Sequence, residues 1–460
     1  MNHRHFTLAC PVDAPVGELF AWHARPGAFQ RLLPPWERVE IVEQKGTIRD
    51  GDKLTIRTRL APLVWKRWIA EHVDYIEGHQ FCDKQLAGPF AHWEHFHQFQ
   101  ARGPERSQLS DRIEYALPLA PLTNPALGWF VDRKLRRMFE YRHRVTRDDV
   151  AAHHRFVERP PLKILISGAS GFVGSALVPM LTAGGHSVSR LTRTQSKRGG
   201  IRWDPVRGEI DAGILEQFDA VIHLAGENIA GGRWTEARKR EILESRVQGT
   251  RLMATTLAKL KHPPKVFLCA SAVGFYGDRG DEPVDERSPA GTGFLADVCK
   301  AWEAATQPAR DAGVRTVNAR FGVILSGAGG ALAKMLPPFQ FGAGGRVGSG
   351  KQWMSWIALD DVVGALHHIL FTDALRGSVN VVSPNPVTNK EFTRTLGRVL
   401  RRPTIAPLPG FAAKLLLGEM AQELLLSGQR VLPKALEATD YPFRFPQLED
   451  ALRHLLGRVK

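Results

Sequence analysis

Cysteine is scarce: Cys10, Cys82, Cys269 and Cys299 are the only four in 460 residues, and no two stand at a CxxC or other metal-binding spacing. This excludes a disulfide-stapled scaffold and a cysteine-built zinc site, and it suits reduced thiols in a cytoplasmic protein. Long apolar runs are missing too. None approaches the ~18 residues of a membrane span, and the opening MNHRHFTLACPVD has no apolar secretion core, so the expectation is a cytoplasmic chain with no integral membrane segment. Acidic surplus is also lacking, since 62 Lys and Arg outnumber 47 Asp and Glu for a net charge of +15. No five like charges follow one another, however, and acids are interspersed throughout, so no nucleic-acid partner is expected. A phosphorylated ligand accounts for the basic balance more simply.

What the chain does have is KILISGASGFVG, Lys163 to Gly174. A short, mostly β-branched and apolar run enters a turn with glycines at 168, 171 and 174, and the amphipathic SALVPMLTAGG follows. That order of strand, glycine turn and helix seats a diphosphate. The first glycine makes the tight turn, the second lets backbone approach the ligand, and the third lets helix pack on strand. Helix N-terminal amides then meet the negative charge. The expected seat is therefore Gly168, Ser170, Gly171, Phe172, Val173 and Gly174. A second strand, HSVSRLTR, ends at Leu191 and is followed by Thr192 and Arg193 where an acid would select NAD. Arginine there suits the extra phosphate of NADP, with Lys197 and Arg198 close by, so NADP is expected and NAD is the alternative. The competing reading of Arg193 is an ordinary surface arginine after a strand.

Further strands lie in FDAVIHLAGEN, KVFLCASAVGFYG and VRTVNARFGVILS. In an open parallel sheet ligands collect beyond the carboxyl ends of the strands, which places Leu224, Ala225, Ser271 and Val323 along the cleft. The glycine-rich FGAGGRVGSGKQWMSWI suits a mobile lid or a substrate-side turn region. Asp360 and Asp361 read as helix caps.

Before the glycine turn the pattern differs. Residues 1–150 read as one strand, a short helix, several alternating strands and a closing long helix with Leu127, Phe130, Val131, Leu135, Met138 and Phe139 at helical spacing. A Pro pair closes the linker, 151–161. On the strand HWEHFHQF, His95 and His97 share a face with Trp93 and Phe99 while His92 lies opposite. Two histidines at i, i+2 need a third ligand, and the sequence offers none. They are read as core or cavity-lining residues, and no metal is expected.

These motifs carry two resemblances. GPFAHWEHFHQF, SDRIEYALPL and RKLRRMFEYRHRV make residues 1–150 similar to the polyketide-cyclase/START-like helix-grip superfamily, which implies a cavity for an apolar ligand. SGASGFVG, HLAGEN, ESRVQGT, CASAVGFYG, ARFGVIL and WIALDDVVGAL make the chain from 162 resemble the extended, epimerase-like short-chain dehydrogenases/reductases. GENIAGGRW, FLADVCKAWEAA and the tail from LLLGEM onward narrow this to an atypical group with its own C-terminal extension. The implied organisation is α+β helix-grip domain, then α/β Rossmann doubly wound parallel sheet at 162–400, then a helical extension at 401–460.

The resemblance implies an oxidoreductase or epimerase acting on a small molecule, yet it breaks at the proton relay. The family's Tyr-x-x-x-Lys pair should fall in GTGFLADVCKAWEAA, where either register places Leu295 with Cys299 or Ala296 with Lys300. Ser271 and Tyr276 are the catalytic substitutes considered, with Asp297 and Cys299 behind them. Arg246 stands for the asparagine of the family's NVxGT, and its charge is expected at a cofactor phosphate or an anionic substrate, or in a helix-surface ion pair. A regulatory protein that senses NADP without turnover is the alternative function.

Overall fold

The computed structural model describes residues 3–61, 63–193 and 200–458. Lys197 and Arg198 lie outside them. Two compact units divide the chain, the first built mainly from residues 1–159 and the second mainly from 160–178 and 186–455. Among the described residues no helix is long and apolar enough to cross a membrane.

The first unit is a seven-stranded antiparallel sheet with helices on one face. Its elements are β1 (Arg4–Val12), α1 (Val16–Ala24), α2 (Ala28–Arg31), β2 (Val39–Lys45), β3 (Lys53–Ala61), β4 (Val64–Ile76), β5 (Gln80–Ala87), β6 (His92–Gly103), β7 (Arg106–Ala116) and α3 (Ala120–His154). The strands meander from β2 to β7, and β1 closes on β7. Two-residue alternation decides which side chains enter the interior. On β6 these are Trp93, His95, His97 and Phe99; on β7 they are Ser107, Leu109, Asp111, Ile113 and Tyr115. Leu135 and Phe139 of α3 join Phe6, Trp93, Ile113 and Tyr115 in one apolar cluster. Val150 joins a second with Leu19, Phe20, Phe81 and Phe99. Arg31 on α2 forms a buried bidentate pair with Asp149 of α3, at 2.7 and 3.0 Å.

Two features depart from the sequence reading. β5 and α2 lie in stretches that carry no clear periodicity. The long helix also runs through His154, so residues 151–154, expected as linker, are helical, because Val150 is still packed on the core.

The second unit carries an eight-stranded sheet. Its labelled elements are β8 (Lys163–Ser167), α4 (Gly174–Ala183), β9 (Ser187–Thr192), β10 (Ile201–Asp204), β11 (Glu209–Ile210), β12 (Ala220–His223), α5 (Glu236–Leu257), β13 (Val266–Ala272), α6 (Phe294–Ala304), β14 (Arg315–Phe321), α7 (Leu359–Phe371) and β15 (Gly377–Val381). The order across the sheet is β11-β10-β9-β8-β12-β13-β14-β15, and every pairing but β10 with β11 is parallel. This is the expected doubly wound α/β sheet. Its central strands are continuously apolar because both faces are covered: Ile164, Leu165, Ile166, Val221, Ile222, Phe267 and Leu268 are all buried.

Residues from 401 onward do not stand apart from the segments that follow the sheet strands. Val347 bridges Leu408, Ala343 bridges Thr404, and Val284 pairs with Val431. Tyr441, Phe445, Leu448, Leu452 and Leu455 bury the extension's own apolar face.

Candidate functional site

In the second unit β8 delivers the chain into a turn where each glycine has a separate cause. Gly168 adopts φ +71°, and a Cβ on it would lie 2.8 Å from the amide nitrogen of Ala225. A Cβ on Gly174 would lie 2.3 Å from the Gly168 carbonyl oxygen, so α4 could not start this close to β8 with any other residue. Gly171 donates its N–H to that same carbonyl at 2.9 Å, closing the turn. The amides of Phe172 and Val173 have no backbone acceptor among the described residues. The Phe172 ring covers Gly329 and Gly330. The result is a backbone cradle with an exposed mouth at Ser170 and Gly171.

Around it the structure gathers most of the expected residues. Leu224 and Ala225 follow β12 directly beside Gly168, and Leu224 N–H donates to the Ser167 carbonyl at 3.1 Å. Thr192 ends β9. Arg193 leaves its side chain 71% exposed, with Glu227 Oε1 3.8 Å away as a loose partner. Val323 is half-buried beyond the end of β14.

Arg246 is engaged within the protein. Its guanidinium donates to the carbonyls of Ile242 and Glu227, both at 2.9 Å, and stacks 5.0 Å from the centre of the Trp302 ring. It supports the 224–228 loop from beneath, and burial lowers its pKa.

Ser271 and Tyr276 are both drawn into a buried polar network. Ser271 Oγ donates to Glu303 at 2.6 Å. Arg320 binds Glu303 through two hydrogen bonds of 2.7 and 2.8 Å, and Ser378 adds a third donor at 3.1 Å. Arg320 also donates to the Tyr276 hydroxyl at 2.9 Å, and that hydroxyl donates to Asn380 at 2.7 Å. Tyr276 is wholly buried, and burial pushes its pKa up to about 12. Its hydroxyl is committed to Arg320 and Asn380, out of contact with solvent. Sequence reasoning missed the pairing of Arg320 with Glu303. They lie 17 residues apart, and charged residues at those positions resemble surface.

Of the two residues that the alternative registers set at the family's tyrosine, Leu295 packs on the turn containing Gly274, where a Cβ would meet Leu295 Cβ at 3.2 Å, and Ala296 is buried. Cys299 is buried, its pKa pushed up to about 12 by burial, while Lys300 and Asp297 pair in solvent at 2.7 Å. The glycine-rich segment considered as a lid is tied to the extension. Gly348 N–H donates to Leu408, and Gln352 donates to Leu425.

The first unit encloses a cavity of about 250 Å³ lined by His23, His72, Phe81, Asp83, His97 and Arg142 among others. Strand register sets His72, Asp83 and His95 opposite one another across β4, β5 and β6, and His97 opposite Asp111. The third partner that His95 and His97 lacked in the sequence is therefore Asp83. Burial alone would raise Asp83 and Asp111, but the surrounding histidines outweigh it and hold both well below the usual carboxylate range.

Comparison with known proteins matches three family models: polyketide cyclase / dehydrase and lipid transport over 12–140, NAD dependent epimerase/dehydratase over 164–381, and a domain of unknown function over 408–455. An epimerase family protein of Mycobacterium bovis is 44% identical over 296 residues, 64% of this chain and 98% of that protein. A crystal structure from Corynebacterium glutamicum, described as a nucleoside-diphosphate sugar epimerase, aligns with 98% of this chain and 90% of its own at a TM-score of 0.79 and 33% identity. The human epimerase family protein SDR39U1, crystallised with NADPH, aligns with 65% of this chain and all of its own at a TM-score of 0.60 and 36% identity.

Proposed function

Since the chain belongs to the NAD-dependent epimerase/dehydratase family, we propose that its second unit binds NADP at the glycine turn and acts as an oxidoreductase or epimerase-like enzyme on a small molecule. The observation that carries this is the cradle itself. Gly168 and Gly174 draw strand, turn and helix together where a Cβ would strike backbone, the amides of Phe172 and Val173 have no backbone acceptor among the described residues, and an exposed guanidinium stands at the end of β9. Those groups suit a diphosphate and a phosphorylated ribose respectively. When bound, the reduced dinucleotide supplies a hydride to a carbonyl carbon. The chain's own share is to hold the diphosphate with backbone, to select the extra phosphate with Arg193, and to wall the cleft with Leu224, Ala225 and Val323. Proton exchange falls to a group other than Leu295 or Tyr276.

Leu295 and Ala296, the residues that the two registers offer for the relay tyrosine, favour a second reading, an NADP-sensing protein without turnover, because both are apolar. Calorimetry with both reduced dinucleotides tests the common premise. Arg193→Ala should weaken NADPH binding about 10- to 100-fold, the loss of a hydrogen bond to a charged group of about 1.5–3 kcal/mol, and leave NADH nearly unchanged. No heat with either dinucleotide overturns both readings. Binding without NADPH oxidation across a panel of aldehydes, ketones and nucleotide sugars favours sensing.

A further inference from the structure

The polar cluster in the first unit is arranged as a coordination site. Asp83 Oδ2 lies 3.3 Å from His97 Nε2 and 3.8 Å from His95 Nδ1, and the ligand atoms of these three residues all fall within 4.8 Å of one another. Donor atoms around a tetrahedral ion at 2.0–2.1 Å stand about 3.3 Å apart, so the spacing needs little adjustment. His72 Nδ1 sits 2.6 Å from the other oxygen of Asp83.

The far sides of the rings carry the second half of the argument. His95 turns Nε2 to Asp111 in a hydrogen bond of 2.8 Å, and His97 brings Nδ1 to 2.9 Å from the same oxygen, outside hydrogen-bond geometry. His143 of α3 holds the other oxygen of Asp111 at 2.5 Å. A histidine that ligates a metal hands its remaining ring nitrogen to a carboxylate as His95 does, which fixes tautomer and orientation. His95, His97 and Asp111 are all more than nine-tenths buried, and the Nδ1 atom of His97 has no partner of acceptable hydrogen-bond geometry. Asp83, His97 and His72 line the cavity, which leaves an open face for a small ligand.

We propose that Asp83, His95 and His97, with His72 beside them, bind a divalent first-row transition ion whose open coordination position faces the cavity of the first unit. Imidazole and carboxylate donors in this combination suit zinc or iron(II) rather than calcium or magnesium. Arg142 lines the same cavity, so an oxygen donor carrying negative charge is the ligand class the open position would take. This inference goes beyond the NADP reading and is independent of it.

The test uses the full chain, stripped with chelator and titrated with zinc, then with cobalt(II) for its visible absorption. One equivalent should bind per chain and raise the unfolding temperature. His97→Gln should abolish stoichiometric binding. Asp111→Asn, which removes only the outer carboxylate, should cost about 10- to 100-fold in affinity. His79→Gln, at an exposed histidine before β5, should change nothing. If His97→Gln does not give a native circular dichroism spectrum, Asp83→Asn replaces it, keeping the side-chain shape while removing the charge. The proposal is overturned if the wild-type chain takes up less than stoichiometric zinc, or if folded His97→Gln or Asp83→Asn binds it as tightly as wild type.

Discussion

Glu303 accepts hydrogen bonds from Ser271, Arg320 and Ser378, and Arg320 in turn holds Tyr276, so one ion pair organises the space beneath the carboxyl ends of β13, β14 and β15. Both partners are largely out of solvent, 4% and 11% exposed at the side chain. Removing one leaves the other buried without its countercharge, which typically costs about 3–5 kcal/mol. Arg320→Met should therefore lower the unfolding free energy by about that much in denaturant titration, while the double variant Arg320→Met with Glu303→Leu should recover part of it. Equal loss in single and double variants would contradict the account. At this scale the sequence was legible where backbone geometry dictates the residue, as at Gly168 and Gly174. It was opaque where a side chain's partner lies on another strand. Arg320 and Asp83 look like surface charges until the sheet is assembled, and Tyr276 and Arg246 look free to meet ligand until their partners are seen.

Elements were read more fully than their attachments. The alternation of strand and helix from Lys163 and the meander of the first unit both follow from periodicity. β5 escaped because its alternation, in QFCDKQLA, mixes polar and apolar residues on both faces. The extension's lacing onto residues 283–284, 343 and 347 was also hidden, since such short main-chain pairings leave no compositional trace. Its firmest anchor is the start of α7, where Asp361 accepts the amides of Arg444 and Phe445 at 2.7 and 2.9 Å and the Tyr441 hydroxyl at 3.2 Å. Burial pushes the Asp361 pKa up to about 6, against the lowering effect of those donors. A raised carboxyl pKa means the folded state holds the proton more tightly. That contribution is complete below the unfolded value near 4 and disappears as pH rises through 6. The destabilisation caused by Asp361→Asn, followed by thermal unfolding, should accordingly grow by roughly 2–3 kcal/mol between pH 7.5 and pH 4. A pH-independent difference would refute the shift.

Taken as a whole, the chain hides every thiol it has. Cys10, Cys82, Cys269 and Cys299 are all buried and unpaired in disulfides, with pKa values pushed by burial to about 11 for the first and about 12 for the others. A disulfide-exchange reagent at pH 8 should find almost no fast-reacting group in the native protein and four after denaturation. A thiol that reacts at once would mark local opening of the unit that contains it. The bulk numbers had bounded this much, reduced cysteines without metal spacing, but burial itself was beyond them. A different consequence follows from the row His72, Asp83, His95. Irregular pairing interrupts β4 and β5 on either side of the His72–Asp83 match, between Ile69 and Ala70 and between Val73 and Ile76. Because a pleat turns alternate residues outward, sliding one strand by a single step would send its member of the trio to the opposite side. The three side chains are thus assembled or scattered together, and their meeting doubles as a proofreading mark for how the hairpin was threaded.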